Sequence, residues 1–246
     1  MDGNTVHHPR RGAHHPMKER LQYIWIVIAA FNEERAIAGV IRSLRKAGYA
    51  RVVVVDDCSE DRTLERAERT GAIVLHHAIN LGQGAALKTG IDYALANGAR
   101  VIVTFDADGQ HRVQDLPAML KPVLSGQVDV TLGSRFLYKR DNVPLLRRIT
   151  LKMAIFVQRV FYGIKLTDAH NGFRVFSRKA AQFIDITCDR MAHASEITEQ
   201  IKLKKLRYKE IPVIIHYSDE TLRKGHGGVR QALKVFKDML LKKLVN

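Results

Sequence analysis

Apolar residues in this chain fall into short unbroken runs, each followed by a polar cluster and then by a stretch with helical spacing. In the first half the runs are Tyr23–Ala30, Val52–Val55, Ile73–His76 and Val101–Phe105. Their branched and aromatic content predicts buried β-strands. The intervening segments predict helices from the Phe31-Asn32-Glu33-Glu34 turn to about Lys46, from the 56–63 cluster to Thr70, and from Asn80-Leu81-Gly82-Gln83-Gly84 through Ala96. Strands alternating with helices at this spacing predict an α/β fold with a mostly parallel central sheet and helices on both faces. Ligands bind such sheets beyond the carboxyl ends of the strands. The polar clusters at 31–34, 56–63 and 106–111 all fall there.

The second half is less regular. Val128–Leu132 reads as a strand ending in Gly133-Ser134-Arg135, and a long helix is predicted over about Leu145–Tyr162. Val175-Phe176 reads as extended, and Ser177 suits the cap of a helix over Lys179–Phe183. A helix over roughly 192–204, a strand over Glu210–His216, a loop over 218–228 and a helix from Val229 complete the expectation. The domain reading is a disordered tail over 1–20, one catalytic domain over 21–217, and a basic loop with an amphipathic membrane-associating or partner-docking helix over 218–246.

The chemistry gathers at Asp106-Ala107-Asp108-Gly109-Gln110-His111, directly after the fourth predicted strand. In extended chain, residues i and i+2 point to the same side, so Asp106 and Asp108 face one point past the strand end. Two hard oxygen ligands there suit Mg²⁺ or Mn²⁺, an ion that keeps waters and shares its coordination with a substrate pyrophosphate.

Composition narrows the setting. The 246 residues, 46% of them hydrophobic, suffice for one sizeable core. The only cysteines, Cys58 and Cys188, and the lack of a secretory pattern point to a reduced cytoplasmic compartment. The longest strongly apolar run, Ile24–Phe31, falls far short of the roughly 20 residues a membrane span needs. Forty Lys and Arg against 25 Asp and Glu give a net charge of +15, which calls for a polyanionic partner. The excess is concentrated over Leu137–Lys165 and from Arg223 onward. Neither aromatic interleaving nor a nucleic-acid motif accompanies it, so the reading is an anionic membrane surface and no nucleic acid.

Six pieces recur in order: Ala30-Phe31-Asn32-Glu33-Glu34, Asp56-Asp57-Cys58-Ser59, Gly84 with Lys88, Asp106-Ala107-Asp108-Gly109-Gln110-His111, Gly133-Ser134-Arg135 and Asn171-Gly172-Phe173-Arg174. In these the chain, over about residues 22–217, resembles the family 2 glycosyltransferases of the GT-A fold, closest in pattern to polyprenyl-phosphate sugar transferases of the dolichol-phosphate mannose synthase type. The resemblance implies a metal-dependent inverting transfer from a nucleotide-sugar donor. UDP-N-acetylglucosamine or UDP-glucose is favoured, with GDP-mannose open. It implies donor contacts by Phe31, Glu33, Asp56 or Asp57, Lys88, Asp106, Ala107 and Gln110, with Asp106 and Asp108 on the metal. Lys88 can equally be a solvated helix lysine, and Arg135 a structural ion pair instead of a phosphate ligand.

An acceptor that is already an anionic polyprenyl phosphate needs no general base. Relatives that glycosylate hydroxyls place an acidic pair near the start of a later helix, and here that region reads Asp189-Arg190-Met191-Ala192-His193-Ala194-Ser195-Glu196. Glu196 is the candidate base for a saccharide-hydroxyl acceptor, the alternative function. Arg148 and Arg174 are the candidates for gripping a lipid phosphate. The helix from Val229 sets Leu233, Phe236 and Leu240 against Arg230, Lys234, Lys237, Lys242 and Lys243. Such an amphipathic helix suits the inner face of the cell membrane, a small membrane partner protein, or the protein's own core.

Overall fold

A computed structural model describes residues 21–137, 166–168, 171–187 and 193–216. The strands are β1 (Ile24–Ala30), β2 (Arg51–Asp56), β3 (Ile73–His76), β4 (Val101–Thr104), β5 (Val130–Ser134), β6 (Arg174–Ser177) and β7 (Tyr208–Pro212). The α-helices are α1 (Ile37–Lys46), α2 (Thr63–Glu68), α3 (Gln83–Ala96), α4 (Leu116–Leu124), α5 (Arg178–Phe183) and α6 (His193–Leu203). The predicted 1–20 tail, the 145–162 helix with Arg148, and the loop and helix over 218–246 lie outside the described residues.

The strands form one sheet in the order β3-β2-β1-β4-β6-β5-β7. The pairs β1–β2, β1–β4, β2–β3 and β5–β7 are parallel, while β6 runs antiparallel to β4 and β5. The mostly parallel α/β sheet expected from the sequence is therefore present, with β6 as the exception. That reversal turns the chain back toward the carboxyl ends of β1 and β4, where the segment before Arg174 crosses the mouth of the sheet.

Strand alternation sorts the core into two layers. Ile24, Ile26, Ile28, Val52, Val54, Val101 and Val103 face α1 and α4 through Ile37, Ile41, Leu44, Leu116, Met119 and Leu120. Trp25, Val27, Val53, Val55 and Ile102 face the opposite way, onto α3, α5 and α6 through Leu87, Ile91, Ala180, Ala181, Ile197 and Ile201. Helices thus cover both faces. Contact between α3 and β1 is close at Gly90, where a Cβ would lie 2.4 Å from Val27 Cγ1. Ser177 caps α5 as its sequence position suggested, its hydroxyl accepting from the Ala180 N–H at 3.2 Å.

Two strands are shifted from expectation, and one helix was not expected. The strand predicted over 128–132 lies at 130–134. The strand predicted over 210–216 is β7 at 208–212, followed by an isolated bridge between Ile215 and His111. Helix α4 has no counterpart among the predicted elements. Its prolines explain why: Pro117 sits in the first turn, where a missing N–H costs nothing, and Pro122 lies inside the helix.

Candidate active site

The carboxyl ends of β1, β2 and β4 carry the polar clusters, and the loops after β1 and β2 brace each other. Asn32 N–H donates to Ser59 Oγ at 3.0 Å, Glu33 N–H to Thr63 Oγ1 at 2.7 Å, and Glu34 N–H to Asp61 Oδ2 at 3.1 Å. Glu60 N–H returns a bond to Asn32 Oδ1 at 2.9 Å. Asn32 (φ 53°) and Cys58 (φ 62°) adopt left-handed backbone here, a conformation that persists only where surroundings enforce it. Burial alone would raise the Asp61 carboxyl, yet its hydrogen bonds from Thr63 and Glu34 outweigh that and hold it below the usual carboxylate range.

The adjacent aspartates at the end of β2 have separate duties. Asp57 Oδ1 accepts from Leu81 N–H at 2.9 Å and meets His77 Nδ1 at 2.8 Å, while Oδ2 accepts from Gly82 N–H at 2.7 Å. Asp57 is therefore engaged in holding the loop that opens α3. Asp56 uses Oδ2 for Ser59 N–H and His76 Nδ1, at 3.1 and 3.0 Å, whereas its buried Oδ1 has no partner. Of the two, Asp56 keeps the unsatisfied acceptor. Phe31, 44% exposed, stands at the same rim. The Glu33 backbone is fixed beside it by Thr63.

Lys88 lies in the second turn of α3 and donates to Asp92, with Asp185 at 3.7 Å. Lys88 is thus held in an ion pair on its own helix instead of being simply solvated. Ala107 packs into the core layer under α1, so any contact it makes with a donor runs through its backbone.

Asp106 and Asp108 follow β4 in the turn beyond it, with Ala107 buried between them. His111 Nε2 lies 2.8 Å from Asp106 Oδ2, and Gln110 bonds Asp108 through both its backbone N–H, at 3.0 Å, and its side-chain amide. Burial works to raise the Asp106 carboxyl, but His111, Arg174 and His193 overcome it and hold it low. Asp108 is pushed up, first by burial and then by the charge of Asp106. Asp106 and Asp108 thus lie near enough for the charge of one to act on the other, and these two hard oxygen ligands are the residues that could hold a divalent cation completed by water and a diphosphate.

The opposite wall comes from β5, β6 and residues 166–168 and 171–173. Arg174 is buried, with Nη1 unpartnered, and burial draws it down to about 10 against the opposing pull of Asp106 and Asp168. Arg135 is bound to Asp168 through Nε–Oδ2 at 2.6 Å and through its N–H at 3.1 Å, so the ion pair weighed from sequence exists. Thr167 and Asp168 are in turn fixed by Glu210, which accepts from Thr167 N–H at 2.8 Å and from Asp168 N–H at 3.1 Å. On α6, both carboxylate oxygens of Glu196 are engaged by Thr187, Oε2 with its N–H at 3.0 Å and Oε1 with its hydroxyl. Glu196 is buried at this contact, an arrangement that disfavours the base role considered for it. Arg148 lies outside the described residues.

The structure thus gathers Asp56, Phe31, Asp106, Asp108, Gln110 and Arg174 at one mouth and gives Asp57, Lys88 and Glu196 to local bonds. Sequence reasoning assigned no role to His111, Asp168 or Gly172. The signal for His111 was its place five residues after Asp106, but nothing local reveals the fold-back that joins them. Asp168 and Gly172 reach the site only through the reversal at β6.

Comparison with known proteins agrees with this geometry. The profile of Glycosyl transferase family 2 matches residues 25–184, more than half of the chain, and the protein belongs to that family. It is a glycosyltransferase with the GT-A fold. An uncharacterised protein of Methanocaldococcus jannaschii is 38% identical over 225 residues, covering 90% of this chain and 92% of its own. The UDP-N-acetylglucosamine–dolichyl-phosphate N-acetylglucosaminyltransferase of Methanococcus voltae is 29% identical over 242 residues, covering 90% and 96%. In fold, the chain is similar to glucosyl-3-phosphoglycerate synthase from Mycobacterium tuberculosis, crystallised with Mn²⁺, UDP-glucose and phosphoglyceric acid. That match has TM-score 0.68 and 20% identity, and covers 93% of this chain and 84% of the other. Among the described residues no helix is long and apolar enough to cross a membrane.

Proposed function

We propose that this protein transfers a sugar from a nucleotide-sugar donor to a polyprenyl phosphate at the inner surface of the cell membrane, with inversion at the anomeric carbon and with Mg²⁺ or Mn²⁺. UDP-N-acetylglucosamine or UDP-glucose is the preferred donor over GDP-mannose. The observation that carries the reading is the convergence of Asp106 and Asp108 at the mouth of a family 2 sheet. The named chemistry of the M. voltae relative supports the lipid phosphate, and the Mn²⁺ and UDP-glucose of the M. tuberculosis structure support the donor.

Asp106 and Asp108 would hold the cation, which supplies charge stabilisation for the departing nucleoside diphosphate. The unsatisfied Oδ1 of Asp56 offers an acceptor for a base N–H or ribose hydroxyl, and exposed Phe31 offers an apolar face beside it. The phosphate oxygen attacks the anomeric carbon as the bond to the diphosphate oxygen breaks, and the diphosphate leaves with the electron pair. No proton is removed in this step. That agrees with a Glu196 already bonded to Thr187 and with a buried Arg174 that has an unfilled Nη1 donor and feels the charges of Asp106 and Asp168. Arg148 would join it from the 145–162 segment.

The test is direct. The full chain is incubated with Mn²⁺, a panel of nucleotide sugars and a short polyprenyl phosphate, and products are identified by mass. A glycosyl-phosphoryl-polyprenol is expected from one UDP-sugar. Transfer to saccharide hydroxyls with no lipid product would overturn the acceptor assignment.

A further inference from the structure

Asp106 is gripped by two groups that play no direct part in the reaction above. Its Oδ2 lies 2.8 Å from His111 Nε2. An ionised carboxylate only accepts, so Nε2 carries the hydrogen and donates. The imidazole cannot turn away. Its side chain is 3% exposed and stacked at angles between Phe105 (5.3 Å between ring centroids) and Phe173 (5.2 Å), whose own rings meet at 5.1 Å. The backbone is anchored as well: His111 bridges to Ile215, Gln110 C=O accepts from His216 N–H at 2.9 Å, and Asp115 accepts from Ile214 N–H at 3.0 Å.

On the other side stands Gly172. Thr104 Oγ1 donates to its carbonyl at 2.6 Å and holds it against the end of β4. A Cβ at residue 172 would lie 2.2 Å from Asp106 Oδ1 and 2.6 Å from Oδ2, distances no side chain tolerates. Asp108, in contrast, is bonded from within its own loop by Gln110.

We propose that His111 and Gly172 are positioning residues that lock the Asp106 carboxylate in one orientation for a divalent cation. This rests on the metal-dependent reading of the site. Carboxylates that bind metals are commonly held by such outer hydrogen bonds, and losing one costs about ten- to hundredfold in metal affinity. The remaining ring nitrogen, Nδ1, is buried without a partner, so only the Nε2 bond to Asp106 gives this ring a polar function.

The experiment measures Mn²⁺ affinity of the full chain by electron paramagnetic resonance, with and without UDP, alongside thermal melting. Asp108→Ala is the control for the site itself. His111→Phe keeps the ring among its aromatic neighbours but removes the donor, and should weaken Mn²⁺ binding about ten- to hundredfold while melting close to the wild type. His111→Gln presents an amide N–H near the place of Nε2 and should recover most of the loss. Gly172→Ala should weaken binding at least as much as His111→Phe. Should His111→Phe fail to fold, the comparison of His111→Gln with Gly172→Ala decides. Wild-type Mn²⁺ binding that Asp108→Ala abolishes but the His111 and Gly172 variants leave unchanged would overturn the positioning role alone. Absence of Mn²⁺ binding by the wild type would overturn the metal reading and this proposal with it.

Discussion

Asp56 and Asp57 are neighbours of the same type, both buried, yet their energetics diverge. Asp57 satisfies two backbone N–H groups and one imidazole, so Asp57→Ala should release the 80–82 loop and lower stability by on the order of 2–3 kcal/mol, read from urea unfolding. Asp56→Ala should instead raise the donor KM about tenfold or more where, as proposed, its buried, unpaired Oδ1 accepts from the donor's nucleoside. A larger KM effect at Asp57 than at Asp56 would reverse the assignment. For the acids after β4, Asp108→Asn should reduce transfer by about a thousandfold, the consequence of losing several kcal/mol of charge stabilisation. Near-normal turnover of that variant with chelator present would end the metal-dependent reading. The Asp106–Asp108 pair was legible in sequence as an acidic pattern just past a buried apolar strand, although β4 ends at Thr104 and the pair lies in the turn after it rather than in extended chain. The division between Asp56 and Asp57 was not legible, because the partners of Asp57 are backbone groups some two dozen residues away.

Among the elements, the two loops that follow β1 and β2 act as one platform. Asp61 is its fastener, accepting from Glu34 N–H, Thr63 N–H and the Thr63 hydroxyl. Asp61→Ala should raise the donor KM more than it lowers kcat, since it loosens the Phe31–Glu34 loop without touching the acids after β4. The pH dependence has a defined sign. The folded Asp61 carboxyl lies below the ordinary value near 3.9, so its stabilisation is complete above about pH 5 and is lost as pH falls through the folded value. The stability gap between wild type and Asp61→Ala, followed by denaturant titration, should therefore be constant from about pH 5 to 8 and close toward pH 3. A gap that widens on acidification would contradict the assigned ionisation. Packing offers a second check at this scale. Gly90→Ala forces a methyl against Val27 and should cost roughly 1–3 kcal/mol by separating α3 from β1. Apolar runs revealed β1, β2 and β4 because each is a continuous stretch buried on both faces, and β3 as a short apolar run at the sheet's edge, only half-buried. Helix α4 escaped notice although Leu116, Met119, Leu120 and Val123 have the i, i+3, i+4, i+7 spacing of a buried face, because two prolines interrupt it. The antiparallel course of β6 could not be read at all, since a short apolar run does not encode its direction.

For the molecule as a whole, the net charge of +15 is the property that the catalytic chemistry does not consume. The active-site acids converge at the carboxyl ends of the strands. Much of the basic excess belongs instead to Leu137–Lys165 and to the segment from Arg223, the regions that flank the acceptor wall in sequence. Under the proposed function the acceptor is a polyprenyl phosphate, whose headgroup lies at a bilayer, and this mouth would then have to reach a lipid surface. Within Val229–Asn246 the sequence pairs Leu233, Phe236 and Leu240 with Arg230, Lys234, Lys237, Lys242 and Lys243, a pattern for lying in the interface without spanning it. Attraction of about 1 kcal/mol per base near an anionic surface should combine with burial of the apolar side chains. Deleting 229–246 should therefore release the protein from vesicles containing anionic lipid and raise the KM for the lipid acceptor. The kcat on a short water-soluble polyprenyl phosphate should stay near the wild-type value. Binding of the intact chain should fall as salt rises from about 0.05 to 0.5 M, because the Debye length shrinks over that range. Vesicle sedimentation at several salt concentrations measures both effects. Unchanged sedimentation of the deletion variant, or its loss of folding by thermal melting, would assign the helix to the protein's own core instead of the membrane.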